Sequence, residues 1–318
     1  MHRLLIIALA VLFTNIALAW QPTRPVTVLL GFAPGSGNEI SFRKVSQIVQ
    51  QNNPGVYFVI EHRPGADAVI AQNLLAQARA DGHTISVPSH MSFFVTNDVW
   101  QKDLKKWTQN DFVNVVALGQ SPLALVATKN SVVDTPQQFK ALVTLAPRPI
   151  SVAIGGGAHQ MAYEYMIYSF GADKDRVVNI RYPGPAQAVA AVAAETTEFG
   201  IMPVAIARPL IDAGRVKLIG LTGSHVLEKL PRAPLLSETV PGISVYAGWI
   251  VSLPGTAPKN VVEWYQQEFA RAIKSSEYQT WAVDNYIFID PKQLTARGVA
   301  EYGSRLAKSF EPIIKNLK

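Results

Sequence analysis

The stretch Pro25–Phe42, PVTVLLGFAPGSGNEISF, decides how the rest of the chain is read. Val26 to Phe32 form an apolar run of the kind that a strand buried on both faces needs. Ala33 to Gly37 then interrupt it with proline, glycine and serine, the residues of tight turns. From Asn38 to Gln51, apolar Ile40, Val45, Ile48 and Val49 fall on a helical period. Strand, tight loop and helix N-terminus follow one another. The loop N–H groups and the dipole of the following helix favour an anion there. A nucleotide phosphate, a catalytic oxyanion and a free carboxylate ligand would each suit it.

The same plan repeats along the chain. Strand patterns occur at 57–61, 85–88, 150–154, 177–182, 199–202 and 217–221. Helical patterns occur at 68–79, 135–145, 160–170, 186–195, 205–213 and 257–274. Thr135 is the expected N-cap and Pro136 the first helical residue of one of them. Two apolar runs, 113–117 and 123–127, are separated by GQSP, and 243–253 reads as extended. The tail, 293–317, reads as a helix broken before Pro312. This alternation predicts an α/β fold with mostly parallel sheets and helices on both faces. Ligands of such folds bind beyond the carboxyl ends of strands. The segments so placed are GFAPGSGNE, PSHMSF, AIGGGAHQ, RYPGPAQ and IMPVAI.

A chain of 318 residues, 48% hydrophobic and 16% charged, implies two globular domains. Its net charge of +6 is scattered, with no basic stripe or motif that would read nucleic acid. Cysteine is absent, which excludes disulfides, thiolate metal sites and cysteine lipidation. Residues 1–19 have a short basic start, an apolar core from Leu4 to Phe13 and an Ala17-Leu18-Ala19 end. They read as a secretory signal peptide cleaved after Ala19, too short to span a membrane. The expected location is the periplasm.

Several chemistries fit poorly. Gly35-Ser36-Gly37 with Glu61 echoes a dinucleotide site, but Ile40 stands where the third glycine belongs. No G-x-S-x-G elbow occurs, and His159 has no nucleophile marked by spacing. His62, His83, His90, His159 and His225 are dispersed, without metal-ligand spacing. Neither a metal nor a cofactor is expected. Non-covalent binding of a small anion remains, held by loop amides, hydroxyls and helix N-termini.

The mature chain resembles the Bug-type, TctC-like extracytoplasmic solute receptors of tripartite tricarboxylate transporters. The likeness rests on RPVTVLLGFAPGSGNE, VIEHRPGADAVIAQNLLAQARADGHTI, the run from VVNIRYPGPAQ to KLIGLTGS, LPRAPLLSETVPGI and PGTAPKNVVEWYQQEFARAI. It implies a two-domain, Venus-flytrap periplasmic binding protein of type II-like architecture. The implied domains are 20–121 plus 248–318, and 122–247, with crossings near Gln120 and Ala247. The implied activity is capture of a small carboxylate for the membrane permease subunits of a tripartite transporter, without catalysis. A ligand-presenting role toward a sensor kinase, or an exported hydrolase using His159, are the alternatives.

Carried over residue by residue, the resemblance implies ligand contacts from Phe32, Pro34, Gly35, Ser36, Gly37, Asn38 and Glu39 in the first loop. Ser89 and His90 match a second loop of the same domain. Gly155, Gly156, Gly157 and His159 match a glycine-rich loop, and Tyr182, Gly184, Ala186 and Gln187 match a Y-x-G segment. Met202 and Pro203 match a strand end that often bears an acid. Departures are Glu39 for a usual aspartate, a shortened loop before His159, Pro183 for a common lysine and Pro203 for the acid. Trp249 stands about one place from an expected aromatic. The second domain is thus less polar, which favours a monocarboxylate or an aromatic acid over citrate.

Overall fold

β1 (Val26–Leu30) pairs in parallel with β2 (Phe58–His62) on one side and β3 (Thr84–Ser86) on the other. Parallel neighbours need crossovers, which α1 (Gly37–Asn52) and α2 (Val69–Ala76) supply. α1 buries Phe42, Val45, Ile48 and Val49. The Phe42 ring meets Phe58 edge-on at 5.5 Å and stacks on Phe269 at 6.0 Å. A one-turn π-helix, Ser92–Thr96, leads into the short α3 (Asn97–Trp100). The structure, a computed structural model, describes residues 20–145, 148–223, 227, 229, 230, 232–315 and 317. The expected signal peptide and His225 lie outside the described residues.

β4 (Phe112–Thr128) is one strand of 17 residues, where the sequence suggested two runs divided by GQSP. Register shifts at Asn114/Val116 and Ala117/Gly119 absorb the irregularity. Gly119 takes φ +124°, open only to glycine without strain. Pro122 has no N–H for a ladder, and it sits where β4 changes partners. As far as Pro122, β4 pairs with β9 (Tyr246–Pro254); from Leu123 it lies between β7 (Phe199–Pro203) and β8 (Val216–Leu221).

The second lobe repeats the βαβ plan. α4 (Pro136–Leu145) starts where Gln138 N–H donates to Thr135 Oγ1 at 3.2 Å, as the Thr-Pro start signal predicts. β5 (Ile150–Ile154) leads to α5 (Gly157–Phe170), β6 (Val177–Arg181) to α6 (Pro185–Ala193) and β7 to α7 (Val204–Asp212). The strand order is β2-β1-β3-β9-β4-β7-β5-β6, with β8 also on β4. Pairs inside each βαβ series are parallel, whereas β4 and β9 run antiparallel to their neighbours. The fold is a two-lobed α/β arrangement, the two βαβ series joined through β4 and β9.

α8 (Lys259–Lys274) and α10 (Ala296–Lys315) complete the first lobe with α9 (Ser276–Asp284), which the sequence reading missed. Ser275 ends α8 with an extended ψ of 148°, and its Oγ accepts from Tyr278 N–H to start α9. α10 continues through Pro312 instead of breaking before it. Pro312 is exposed, so the carbonyl it leaves unbonded can turn to water.

Candidate functional site

Four helices begin at the carboxyl ends of strands and aim their N-termini at the gap between the lobes. Their N-caps are Ser36 for α1, Gly156 for α5, Gly184 for α6 and Pro203 for α7. None of the four N-cap residues caps its own helix with a side chain, and among the described residues only α5 has a side-chain acceptor from elsewhere, Asp67, at its first N–H. Each first turn therefore keeps backbone N–H groups without an intrahelical acceptor, at the positive end of a helix dipole.

All five sequence-selected segments line one crevice. Phe32, Ser36, Gly37 and Asn38 meet Ser89 from the first lobe; Gly155, Gly156, Gly157, His159, Pro185 and Pro203 face them from the second. Trp249 and Ala247 of β9 form the floor. The crevice holds about 30 Å³, room for little more than a water. Within the second lobe, Gly155 lets its loop lie against the start of α6, because a Cβ there would lie 2.5 Å from the Gly184–Pro185 main chain.

Three buried polar atoms of this crevice, Ser36 Oγ, Asn38 Oδ1 and His159 Nδ1, have no hydrogen-bond partner in the protein. Asn38 is held by its amide, which donates to Val87 O at 2.9 Å. Burial pushes the His159 pKa down to about 3, so the ring is neutral at neutral pH. Ser36 Oγ and His159 Nδ1 are not bonded to each other, so no serine–histidine dyad is formed. Among the described residues no group of acids and histidines has metal-site geometry.

A larger cavity of about 430 Å³ adjoins the crevice and shares Phe32 and Gly155–Gly157 with it. Trp100, Tyr182 and Phe32 give it an aromatic lining, and Asp67, Gln160 and Arg181 give it polar groups. Asp67, from the first lobe, accepts from Gly157 N–H of the second at 2.8 Å and from Thr96 Oγ1 at 2.6 Å. Burial raises the Asp67 pKa, against the opposing pull of Thr96, Gly157, Ser92 and Arg181.

The sequence profile of the tripartite tricarboxylate transporter family receptor (TctC) matches residues 42–318. The chain belongs to this family. Curated relatives of the TctC receptor include a protein of the tcbD-tcbE intergenic region of Pseudomonas sp. (strain P51), 27% identical over 80% of this chain and 76% of that one. BugT of Bordetella pertussis (strain Tohama I) is 23% identical over 76% of this chain and 74% of its own. Among solved structures, R. palustris Rpa4515 with adipate superposes with a TM-score of 0.87, at 20% identity, covering 93% of this chain and 98% of that one. MatC (Rpa3494) from Rhodopseudomonas palustris with bound malate gives 0.85, at 21% identity, covering 92% and 100%. At these identities the structures establish the fold.

Other sequence-selected residues of this TctC receptor stand outside the crevice lining. Glu39 turns back on its own loop: Gly35 N–H donates to its Oε2 and Arg43 Nε to its Oε1, both at 2.8 Å. It shapes the loop, and its charge is balanced at once. His90 is buried behind Ser89, its ring 4.9 Å from Tyr302 and stacked on Phe94 at 6.4 Å, and burial lowers its pKa to about 3. Pro34 and Gln187 are exposed, while Gly184 caps α6. A Cβ built on Gly35 would lie 3.5 Å from Ala186 Cβ, so these residues meet across the lobes. Met202 is fully buried in an apolar cluster of the second lobe. Tyr182 lines the larger cavity instead.

Sequence reading did not single out Asp67, Trp100, Gln160 or Arg181, although Gln160 and Arg181 stand at the ends of the selected segments AIGGGAHQ and RYPGPAQ. The HRPGAD segment has the proline and glycine of a turn, but residue types alone do not aim the Asp67 carboxylate across the gap. Arg181 is the last residue of β6, one place before the selected segment's tyrosine, and strand-end position was its available signal.

Proposed function

We propose that this TctC-family receptor is a periplasmic protein that captures a small carboxylate between its lobes and delivers it to a tripartite tricarboxylate permease. The observation carrying this reading is the meeting of four helix N-termini, of which α5 alone has a side-chain acceptor (Asp67), with the unpartnered Ser36 Oγ and His159 Nδ1. Amide and hydroxyl donors aimed into a buried gap suit a carboxylate and perform no bond chemistry. The carboxylate lies in the crevice, and the body of the ligand passes Phe32 and the triple-glycine loop into the 430 Å³ cavity. Aromatic walls there favour a monocarboxylate or an aromatic acid over citrate. The adipate and malate of related structures are consistent with an acid as ligand.

The lobes of this reading are residues 20–121 with 248–318, and 122–247, after removal of residues 1–19. Entry requires them to part, because about 30 Å³ does not admit a carboxylate. The ligand then favours a form closed around it, with the crevice wider than here, by its higher affinity for that form. Thermal-shift measurements with mono-, di- and tricarboxylates test the proposal, since a ligand of the folded state raises Tm by mass action. Monocarboxylates should raise Tm, and Ser36→Pro, which removes an amide donor and the hydroxyl, should abolish the shift. A panel in which no carboxylate shifts Tm overturns the reading.

A further inference from the structure

Asp67 has φ +52° and ψ +48°, between Ala66 at φ +47° and Ala68 at φ +72°. Three successive non-glycine residues in the left-handed region are held there against their own preference. What that backbone does is carry one carboxylate across the gap. Asp67 Oδ1 takes the Gly157 N–H at the amino end of α5, and Oδ2 takes the Thr96 hydroxyl. A Cβ on Gly157 would lie 2.1 Å from Asp67 Oδ2, so the loop is open enough only for this contact.

The same carboxylate lines the 430 Å³ cavity together with Arg181 and Gln160. Arg181 forms no direct salt bridge among the described residues, and its charge acts on Asp67. The α5 amide, which would welcome a ligand carboxylate, is thus already bonded to an acid of the protein itself, and that acid shares the cavity with the Arg181 guanidinium.

We propose that Asp67 sets the charge of the ligand: it fills the anion position at the start of α5 and offsets Arg181, so the larger cavity takes an uncharged end and turns away a second carboxylate. This rests on the preceding assignment of the first carboxylate to the crevice. A dicarboxylate would bring its distal group against Asp67, with the Gly157 N–H already bonded. Like charges in a partly buried space exclude one another, and selectivity of this kind comes from repulsion of the wrong ligand.

The test is calorimetric titration of length-matched pairs, hexanoate with adipate and benzoate with terephthalate, on the full-length mature receptor. The wild type should prefer the monocarboxylate of each pair at least tenfold. Asp67→Gly, which also suits the left-handed backbone, should reduce that preference tenfold or reverse it. Asp67→Asn, which removes the charge but keeps an acceptor for Gly157, should fall between. Adding Arg181→Ala to Asp67→Gly should cancel the gain for the dicarboxylate. A ratio unchanged within twofold in both single variants, with wild-type melting curves, overturns the role of Asp67 and leaves the receptor reading standing. A wild type that prefers the dicarboxylates overturns it equally. A wild type that binds no acid of any length removes the receptor reading and this one together.

Discussion

Gln120 and Phe288 exchange two main-chain hydrogen bonds, Gln120 N–H to Phe288 O at 2.9 Å and Phe288 N–H to Gln120 O at 2.8 Å. This clamp holds β4 where it leaves the first lobe. Tyr302 adds to it, its hydroxyl donating to Gln120 Oε1 at 3.0 Å. The neighbouring Gly119 lets the strand make the bend, and a Cβ there would lie 2.4 Å from Ile287 Cγ2. Gly119→Ala therefore combines a strained φ with a clash, and should cost about 1–3 kcal/mol or more of stability. Urea denaturation measures it; an unchanged midpoint would show that the bend is not fixed by this glycine.

Gly157→Ala should force the lobes apart. The new methyl would meet Asp67 Oδ2 at 2.1 Å and Thr96 Oγ1 at 2.4 Å, so the cross-lobe bond cannot persist. Loss of one hydrogen bond to a charged group, worth roughly 1.5 kcal/mol, corresponds to about a tenfold fall in the closed-to-open ratio. Small-angle scattering of the unliganded variant should give a larger radius of gyration than the wild type. An identical scattering curve would contradict a latch at this point.

Glu39 should contribute stability that disappears in acid. Burial opposes its ionisation, but the Gly35 N–H, Arg43 and nearby His62 outweigh that and lower its pKa. The folded state thus binds this proton more weakly than the unfolded chain does. The stabilisation is complete above the unfolded carboxylate range, about pH 4–5, and is lost as pH falls through the lower folded value. Glu39→Gln should cost roughly 1–3 kcal/mol at pH 7 and close to nothing in strong acid. Parallel wild-type and variant stability curves across this range would disprove it.

The contribution of His159 to carboxylate affinity should be flat between pH 6 and pH 8. His159 is the histidine of the crevice, and burial lowers its pKa to about 3. Its ring takes part as a neutral hydrogen-bonding group, and His159→Ala should weaken binding by the loss of that bond alone, on the order of tenfold. A tenfold gain in affinity on acidification from pH 8 to pH 6 that the wild type shows and His159→Ala lacks would show the ring taking up a proton with the ligand.

Much of this architecture was legible because glycine, proline and serine mark strand ends plainly. The Thr135-Pro136 start, the β1–α1 turn and the Gly155–Gly157 loop each announce a backbone shape, and the structure has those shapes. GQSP misled for the same reason: its turn-forming residues are spent on a bulge and on a change of strand partner inside β4. Side-chain direction was the weaker reading. Glu39 and Asp67 are both acids beside a glycine loop, yet one folds back on Gly35 and the other crosses to Gly157. The left-handed run Ala66–Ala68 contains no glycine, so nothing in its composition marks the conformation that decides between these outcomes.

The unbroken length of β4 has a consequence for how such receptors diversify. One ribbon of backbone is common property of both halves, and β9 returns along its first part. Neither half can be exchanged as a cassette without exposing a raw seam of amides and carbonyls. New ligand tastes must therefore arise by changing the rim, one turn at a time, on a chassis inherited whole.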